Sequence, residues 1–323
     1  MTIEKSVLVP LDAERTFALL TEPERMRRWF TVSSRIDLWA GGEFRWTVVP
    51  GGIASGTVTE VEPGRRLVFT FGWDLNEALP PGSSTITITL EPAEGGTTVR
   101  LVHDGLTQEQ GNGHLNGWSH FLDRLVVAAR EGDAGFDDWN FAERTLDQLT
   151  AAEASLAVCQ AVLRDLSDDD LAAKTPSTRF TVEELTEHLM GNIVGLAAAV
   201  DVTIAVSSSG PLEVRVADAG QQLLEGWRRH GIEGMVKVGP NEIPADIALR
   251  IIILEFFVHA WDFAQAIGRP FPEDEDLAAY VLEQTRGLLT PELRAGDRFV
   301  DEVAVGSDAD AVTRLIAFTG RVA

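Results

Sequence analysis

The chain has 323 residues, which is too long for one ordinary hydrophobic core and indicates two domains. Hydrophobic residues make up 45% of it and charged residues 24%, the balance of a soluble globular protein. Its formal net charge of −23 argues against nucleic acid and anionic membranes as partners, because both need basic patches.

The first part of the chain predicts a sheet preceded by one strand and two short helices. Alternation with period two predicts a strand over Ile3–Val9, helical periodicity follows over Leu11–Leu20, and Pro23 opens a short second helix. Five or six further strands, divided by turns rich in Gly and Pro, are expected at Ser33–Trp39, Glu43–Val49, Gly56–Glu62, Arg66–Trp73, Ser84–Leu90 and Thr97–His103. A long helix from about Asn112 to Arg130 then completes an α+β domain, residues 1–132, with the sheet curled around that helix.

An acidic segment that contains glycine, Glu131 to Asp138, predicts a linker to a second domain, residues 139–323. After it the pattern is almost wholly helical, with predicted helices at about 139–165, 181–205, 211–230, 244–267, 274–289 and 309–319. Four long helices with short connections predict an antiparallel bundle.

Localisation is predicted from features that the sequence lacks. No apolar run reaches the ~18 to 20 residues of a membrane span, and the first residues lack the pattern of a signal peptide. The single cysteine, Cys159, fits a reducing compartment and, from its apolar helical neighbours, a place in the core. We therefore expect a cytoplasmic protein.

Glu255 and His259 are the residues that most need a chemical explanation, because they lie one helical turn apart inside the apolar stretch Ile251 to Trp261. Burying a lone charge costs several kcal/mol, so such groups normally pair or bind a metal. His188, in another helical segment, is a third candidate ligand, and Asp262 is placed to orient an imidazole. Three such ligands would leave one coordination position open, as in catalytic zinc sites. The alternative is a Glu–His pair that satisfies itself, with His188 exposed.

Three stretches of the second domain, Lys174 to Leu189, Val258 to Gly268 and Arg314 to Arg321, resemble the DinB-like, mycothiol-dependent maleylpyruvate isomerase superfamily of actinobacterial proteins. The resemblance implies that His188, Glu255 and His259 bind a divalent metal, usually zinc. It also implies mycothiol as a co-substrate for isomerisation or thiol transfer. One departure is Phe180, where relatives commonly carry tryptophan.

In the first domain, the stretches Glu24 to Phe30, Ala40 to Trp46 and Gly117 to Leu125 resemble the START-like (SRPBCC) family related to the Hsp90 ATPase activator homologues. The resemblance implies a helix-grip fold with an apolar cavity, for which the candidate lining residues are Trp29, Phe30, Trp46, Phe71, Trp73 and Trp118. The alternative is that these aromatic residues only fill the core. His103, Asp104, His114 and His120 would form a polar spot at the cavity mouth or lie at the surface. Nothing in the sequence supports Hsp90 as a partner.

Two functions from different classes remain open. In the first, the protein is a metal-dependent enzyme of the thiol-dependent isomerase or transferase class, acts on a small, partly apolar substrate and binds a hydrophobic ligand in its first domain. In the second, it is a non-catalytic binding protein with a structural or vestigial metal site. The open coordination position favours the enzyme, whereas the absence of an obvious general base beside the ligands favours the binding protein. No catalytic residue is assigned, and the oligomeric state stays open.

Overall fold

Two compact units, Met1–Asn140 and Phe141–Ala323, make up the chain. The structure is a computed structural model that describes residues 1–141, 145–177, 179–205, 210–272, 274–289, 294 and 301–322. Residues 142–144 of the predicted helix at 139–165 therefore lie outside the described residues. Within the described ranges, no helix has both the length and the apolar character needed to cross a membrane.

An antiparallel sheet and a long helix form the N-terminal unit, as the α+β prediction required. Its strands are β1 Ile3–Val9, β2 Ser33–Ile36, β3 Glu43–Val49, β4 Gly52–Glu62, β5 Arg66–Trp73, β6 Ser84–Ala93 and β7 Gly96–Asp104. They form a single sheet in the order β1-β7-β6-β5-β4-β3-β2. The helices are α1 Ala13–Thr21, α2 Pro23–Met26 and α3 Gln108–Glu131.

The sheet bends where its register shifts. One shift falls between Thr47 and Val49 in the β3–β4 pair, and another between Val58 and Glu60 in the β4–β5 pair. Such bulges increase local twist and bend the strand that carries them. Buried side chains from the sheet, among them Phe44, and from α3, among them Leu125, form one core cluster.

Several predicted boundaries differ from the observed ones, and the N-terminal unit gives three examples. Strand β2 ends at Ile36 rather than Trp39, because the chain turns back there: Trp39 N–H bonds to Asp37 O, and the Trp39 side chain is 59% exposed. Strand β4 begins four residues early, at Gly52. Helix α3 also begins early, because Thr107 and Gln110 form a capping box at its start.

The described part of the C-terminal unit is mainly helical. Its helices are α4 Gln148–Leu163, α5 Val182–Ala198, α6 Leu212–His230, α7 Ala245–Ala266, α8 Glu275–Arg286 and α9 Ala311–Phe318. Helix α7 packs against α4, α5 and α8 and is apolar on almost every side. A hairpin, β8 Met235–Val238 and β9 Asn241–Pro244, was not predicted, because its strands of four residues are too short to show a period.

Helix α5 depends on a capping box at its first turn. The Thr181 hydroxyl accepts a bond from Glu184 N–H, and the Glu184 carboxylate accepts one from Thr181 N–H. Replacing Thr181 with alanine should lower the free energy of unfolding by about 1 kcal/mol, whereas Thr181→Ser should retain it. Urea denaturation followed by circular dichroism measures both, and equal stability of the two variants would show that the hydroxyl contributes nothing.

Candidate metal centre and ligand cavity

Helices α5 and α7 bring His188, Glu255 and His259 together. Glu255 Oε2 lies 3.0 Å from His259 Nε2 on its own helix and 3.4 Å from His188 Nε2 on α5. One ligand atom from each of the three residues lies within 4.8 Å of those of the other two. The His188 side chain is 36% exposed, Glu255 15% and His259 9%, so the cluster is buried on the α7 side and open towards His188.

The spacing of these atoms suits a metal ion. Two ligands about 2.1 Å from a tetrahedral zinc ion lie about 3.4 Å apart. The nitrogen and carboxylate oxygen donors are ones that zinc and related divalent metals accept. The three side chains therefore fit a divalent metal in both geometry and chemistry.

Asp262 contacts Nδ1 of His259, the ring nitrogen on the side away from Glu255. Its Oδ2 lies 3.0 Å from His259 Nδ1, and Arg321 donates to both of its oxygens at 2.7 Å. Asp262 is fully buried, and its own burial would raise the pKa of the carboxyl. Hydrogen bonds from His259 and Arg321 outweigh that effect and lower the pKa. A carboxylate behind an imidazole fixes the orientation and tautomer of a metal-binding histidine.

Glu255 and His259 form a charged pair in the structure. Burial alone would raise the pKa of Glu255, but the positive charge of His259 and hydrogen bonds from both histidines hold it well below its usual range. Burial would likewise lower the pKa of His259, yet the carboxylates of Glu255 and Asp262 raise it to about 9. Both pKa directions favour the ion pair, so binding of a metal at His259 Nε2 would require the loss of a proton from that atom.

Asn192 is a member of the site that the sequence did not reveal. Its Nδ2 donates to Glu255 Oε2 at 2.9 Å and lies 3.1 Å from His188 Nε2. Asn192 follows His188 by one turn of α5, and that spacing is the only signal in the sequence that could have found it. Phe180 stacks on the His188 ring with centroids 5.1 Å apart, so it limits where that ring can turn.

The N-terminal unit contains a cavity of about 670 Å³ between the sheet and α3. Of the six aromatic candidates, the structure places Phe30, Phe71, Trp73 and Trp118 on its wall. Trp29 and Trp46 do not line it. Trp29 donates its indole N–H to Leu19 O, and the Trp46 ring packs 4.1 Å from that of Phe44, so both belong to the core.

Two imidazoles beside the cavity are fully hydrogen-bonded within the protein. His114 Nδ1 contacts Gln110 O at 2.8 Å, so its Nε2 accepts the Trp73 indole N–H at 3.1 Å. His103 Nδ1 accepts the Trp118 indole N–H at 3.1 Å, and its Nε2 lies 2.9 Å from the Ser84 hydroxyl. Burial first, and then the neighbouring His114, lowers the pKa of His103 to about 3.

Two further parts of the cavity wall were not predicted. Gly113 and Gly117 of α3 line it, and a Cβ atom at either would meet nothing within 4 Å. Glycine inside a helix costs about 1 kcal/mol relative to alanine, which is a signal for a local requirement. Trp139 also lines the cavity, although it lies in the segment predicted to begin the second domain.

Neither the metal-ligand cluster nor the cavity wall includes three arginines of the C-terminal unit, Cys159 or Asp104. Arg228, Arg229 and Arg250 form ion pairs with Glu153, Glu225 and Asp246, respectively. Cys159 is buried, and burial raises the pKa of its thiol above the range in which it would be reactive. Asp104 is exposed and accepts the Thr2 hydroxyl, away from the cavity wall.

Comparison with known proteins bears mainly on the N-terminal unit. Residues 10–130 match the model of the family described as activator of Hsp90 ATPase homolog 1-like protein, AHSA1. The solution structure of an AHSA1-like protein from Rhizobium etli is 36% identical, with 46% of this chain and 91% of that chain covered and a TM-score of 0.37. DynU16, from the dynemicin biosynthetic locus, is 22% identical with a TM-score of 0.38; the match covers 41% of this chain and 48% of DynU16, about half of its length.

The match to a relative in Mycobacterium tuberculosis is longer than the N-terminal unit. This uncharacterized protein is 27% identical over 179 residues, which are 54% of this chain and 98% of the relative. The aligned length exceeds that of the whole N-terminal unit, Met1–Asn140, so the likeness includes part of the C-terminal unit.

The low pKa of His103 makes the N-terminal unit sensitive to acid. Its pKa is about 3 in the folded protein, whereas the ordinary value of a histidine, which the unfolded chain keeps, is 6.5. The unfolded chain therefore binds more protons between those two values, and stability should fall as the pH drops from about 6.5 towards 3. Histidine NMR should show His103 neutral over most of that range, and a His103 midpoint near 6.5 would contradict the assignment.

Removing Arg321 should be costly, because it would leave Asp262 buried beside a single histidine. Breaking one side of a buried ion pair typically costs about 3–5 kcal/mol. We expect Arg321→Leu to lower the unfolding free energy by that order and Asp262→Asn with Arg321→Leu to recover part of it. Urea denaturation of the two variants measures the difference, and an unchanged Arg321→Leu midpoint would mean that the pair adds no stability.

Proposed function

Since the chain belongs to the AHSA1-like family through its N-terminal unit, we propose that this unit binds a small, largely apolar molecule in its cavity. The observation that carries this proposal is a cavity of about 670 Å³ lined by aromatic and aliphatic side chains. Ligand pockets are typically about 300–1,000 Å³, mostly apolar, with a few fixed polar groups. The cavity has the size and the lining of such a pocket.

The hydrogen bonds around the cavity favour a ligand with few charges. Several polar side chains that line it already have partners within the protein: the Trp73 indole donates a hydrogen bond to His114, and the Gln110 side chain bonds to Ala78 O and Thr107 N–H. A charged ligand would lose its hydration without gaining these groups. The net charge of −23 also repels anions.

A second candidate function concerns the C-terminal unit, where His188, Glu255 and His259 would hold a divalent metal, with zinc as the first choice. The donor spacing and the Asp262 contact to His259 support this proposal. When bound, zinc supplies Lewis acidity and lowers the pKa of a coordinated thiol or water. Asp262 and Arg321 would orient His259, and Asn192 would keep the Glu255 carboxylate in place.

The finer proposal is a thiol-dependent isomerase or transferase in which mycothiol is the co-substrate. It rests on the motifs that resemble the DinB-like superfamily and on the open side of the cluster at His188. The alternative is a non-catalytic protein in which the metal only ties α5 to α7. Turnover of a small electrophilic substrate that requires both metal and thiol would separate the two.

Filling the cavity from α3 tests ligand binding. Gly117→Leu adds a side chain where a Cβ has free space, so it should occupy the cavity and weaken binding of the neutral probe N-phenylnaphthylamine by about tenfold or more, without loss of helix stability. The matched control is Gly191→Leu on α5, which also has free space but lies in the other unit. Fluorescence titration of the full chain measures both. Equal affinity of Gly117→Leu and the native protein would contradict the assigned cavity.

Loss of one ligand tests the metal site. Glu255→Ala should remove bound zinc from the full chain, since two histidines alone leave the ion with too few protein donors. Glu187→Ala, next to His188 but exposed, is the matched control and should keep the metal. Elemental mass spectrometry after exchange into zinc-containing and then zinc-free buffer gives the stoichiometry. Unchanged zinc content in Glu255→Ala would contradict the assignment of this metal site.

A further inference from the structure

We infer that Trp139 is a ligand-contacting wall of the N-terminal cavity and that the connector, Gly132–Asn140, closes over a bound molecule. This inference rests on the proposed binding function. Trp139 lies outside residues 10–130, the part that matches the AHSA1 model, so the family match does not include it.

The connector is folded back along α3 rather than extended away from it. Helix α3 ends at Gly132, whose φ of +89° turns the chain. Ala134 N–H then bonds to Arg28 O at 2.9 Å, and the Asp133 carboxylate pairs with the Arg28 guanidinium at 3.2 Å. These contacts fix the first half of the connector on the N-terminal unit.

Arg124 of α3 holds the middle of the connector. Its guanidinium donates to Gly135 O at 2.7 Å and to Phe136 O at 3.3 Å, and it lies 3.3 Å from the Asp137 carboxylate. The same side chain donates to Trp29 O, which belongs to the core beneath. One arginine therefore ties the connector backbone to the core of the unit.

Asp137 and His120 hold the end of the connector at the cavity. His120 Nε2 lies 3.0 Å from Asp137 Oδ1, which also accepts Trp139 N–H at 3.0 Å. The indole of Trp139 stacks on the His120 ring with centroids 4.0 Å apart and an angle of 2° between the planes. It also meets Phe121, another cavity residue, edge to face at 5.6 Å.

The position of Trp139 suits a wall that moves. The residue is 39% exposed and yet lines the cavity, so it stands between the interior and the solvent. Its backbone hydrogen bond is to the connector, and its ring contacts are with residues of α3. A molecule in the cavity would add apolar contact to this indole and favour the closed position, because buried apolar area stabilises the state that buries it.

Ligand binding would thereby also affect the C-terminal end of the N-terminal unit. Trp139 stands two residues before Phe141, the first residue of the C-terminal unit. A ligand that holds Trp139 also holds the last turn of the connector, in which Asn140 N–H bonds to Asp137 O. The last turn of the connector, which carries Trp139, is therefore the part whose order should depend on ligand.

The test uses the full chain and two readouts. N-phenylnaphthylamine titration should show at least tenfold weaker binding and faster release for Trp139→Ala, a smaller loss for Trp139→Phe, and weaker binding for His120→Ala, which removes the stacking partner. Trp39→Ala removes another exposed indole, one that does not line the cavity, so this variant should bind the probe as the native protein does. Hydrogen exchange should slow in peptides that cover residues 132–140 when the probe is added.

The possible outcomes distinguish failure of this inference from failure of the proposed ligand-binding function on which it rests. No probe binding to the native chain would overturn both. If the native protein binds the probe and Trp139→Ala binds it with the same affinity, Trp139 does not contact the ligand, but the cavity assignment stands. Weaker binding of Trp139→Ala without slower exchange at 132–140 would overturn closure of the connector. Weaker binding of Trp139→Ala and His120→Ala together with ligand-dependent protection would establish it.

Discussion

Burial of three ionisable side chains on one helix is the constraint on which the C-terminal unit depends. Glu255, His259 and Asp262 lie on one face of α7, inside the most apolar part of the chain. Each buried charge requires a partner or becomes a large penalty. The partners come from α5, as His188, and from beyond α9, as Arg321, so the need for pairing links segments that are far apart in sequence.

The requirement that buried polar groups have partners also explains why the N-terminal cavity is apolar although indoles and imidazoles surround it. His103 and His114 each accept an indole N–H, and their other nitrogens contact Ser84 and a backbone carbonyl. Both nitrogens of each imidazole therefore have partners within the protein, so neither ring offers a free hydrogen-bonding atom to a ligand. A polar composition of the lining therefore does not make a polar site; what matters is which groups still lack a partner.

The sequence predicts the elements and residues that show a local periodicity, and it misses the residues that only the packing of distant segments brings together. Period-two runs locate the strands, and the apolar helix around Glu255 points to His188 and His259 as its chemical partners. Asn192 and Arg321 could not be assigned, because an amide and an arginine have many local uses and only the packing of α5 and α9 brings them to the site. For the same reason aromatic composition could not separate Trp29 and Trp46, which fill the core, from Trp73 and Trp118.

The connector shows how one composition can support two opposite structures. A short acidic stretch with glycine is typical of a solvated linker, and that prediction assumes that its carboxylates face water. Here Asp133 pairs with Arg28, and Asp137 meets Arg124 and His120; these partners are spaced along the surface that the chain must cross. Once those pairs form, glycine serves the reversal at Gly132 rather than flexibility. The complementary charges, not the composition of the segment alone, decide that the connector follows α3 and delivers Trp139 to the cavity.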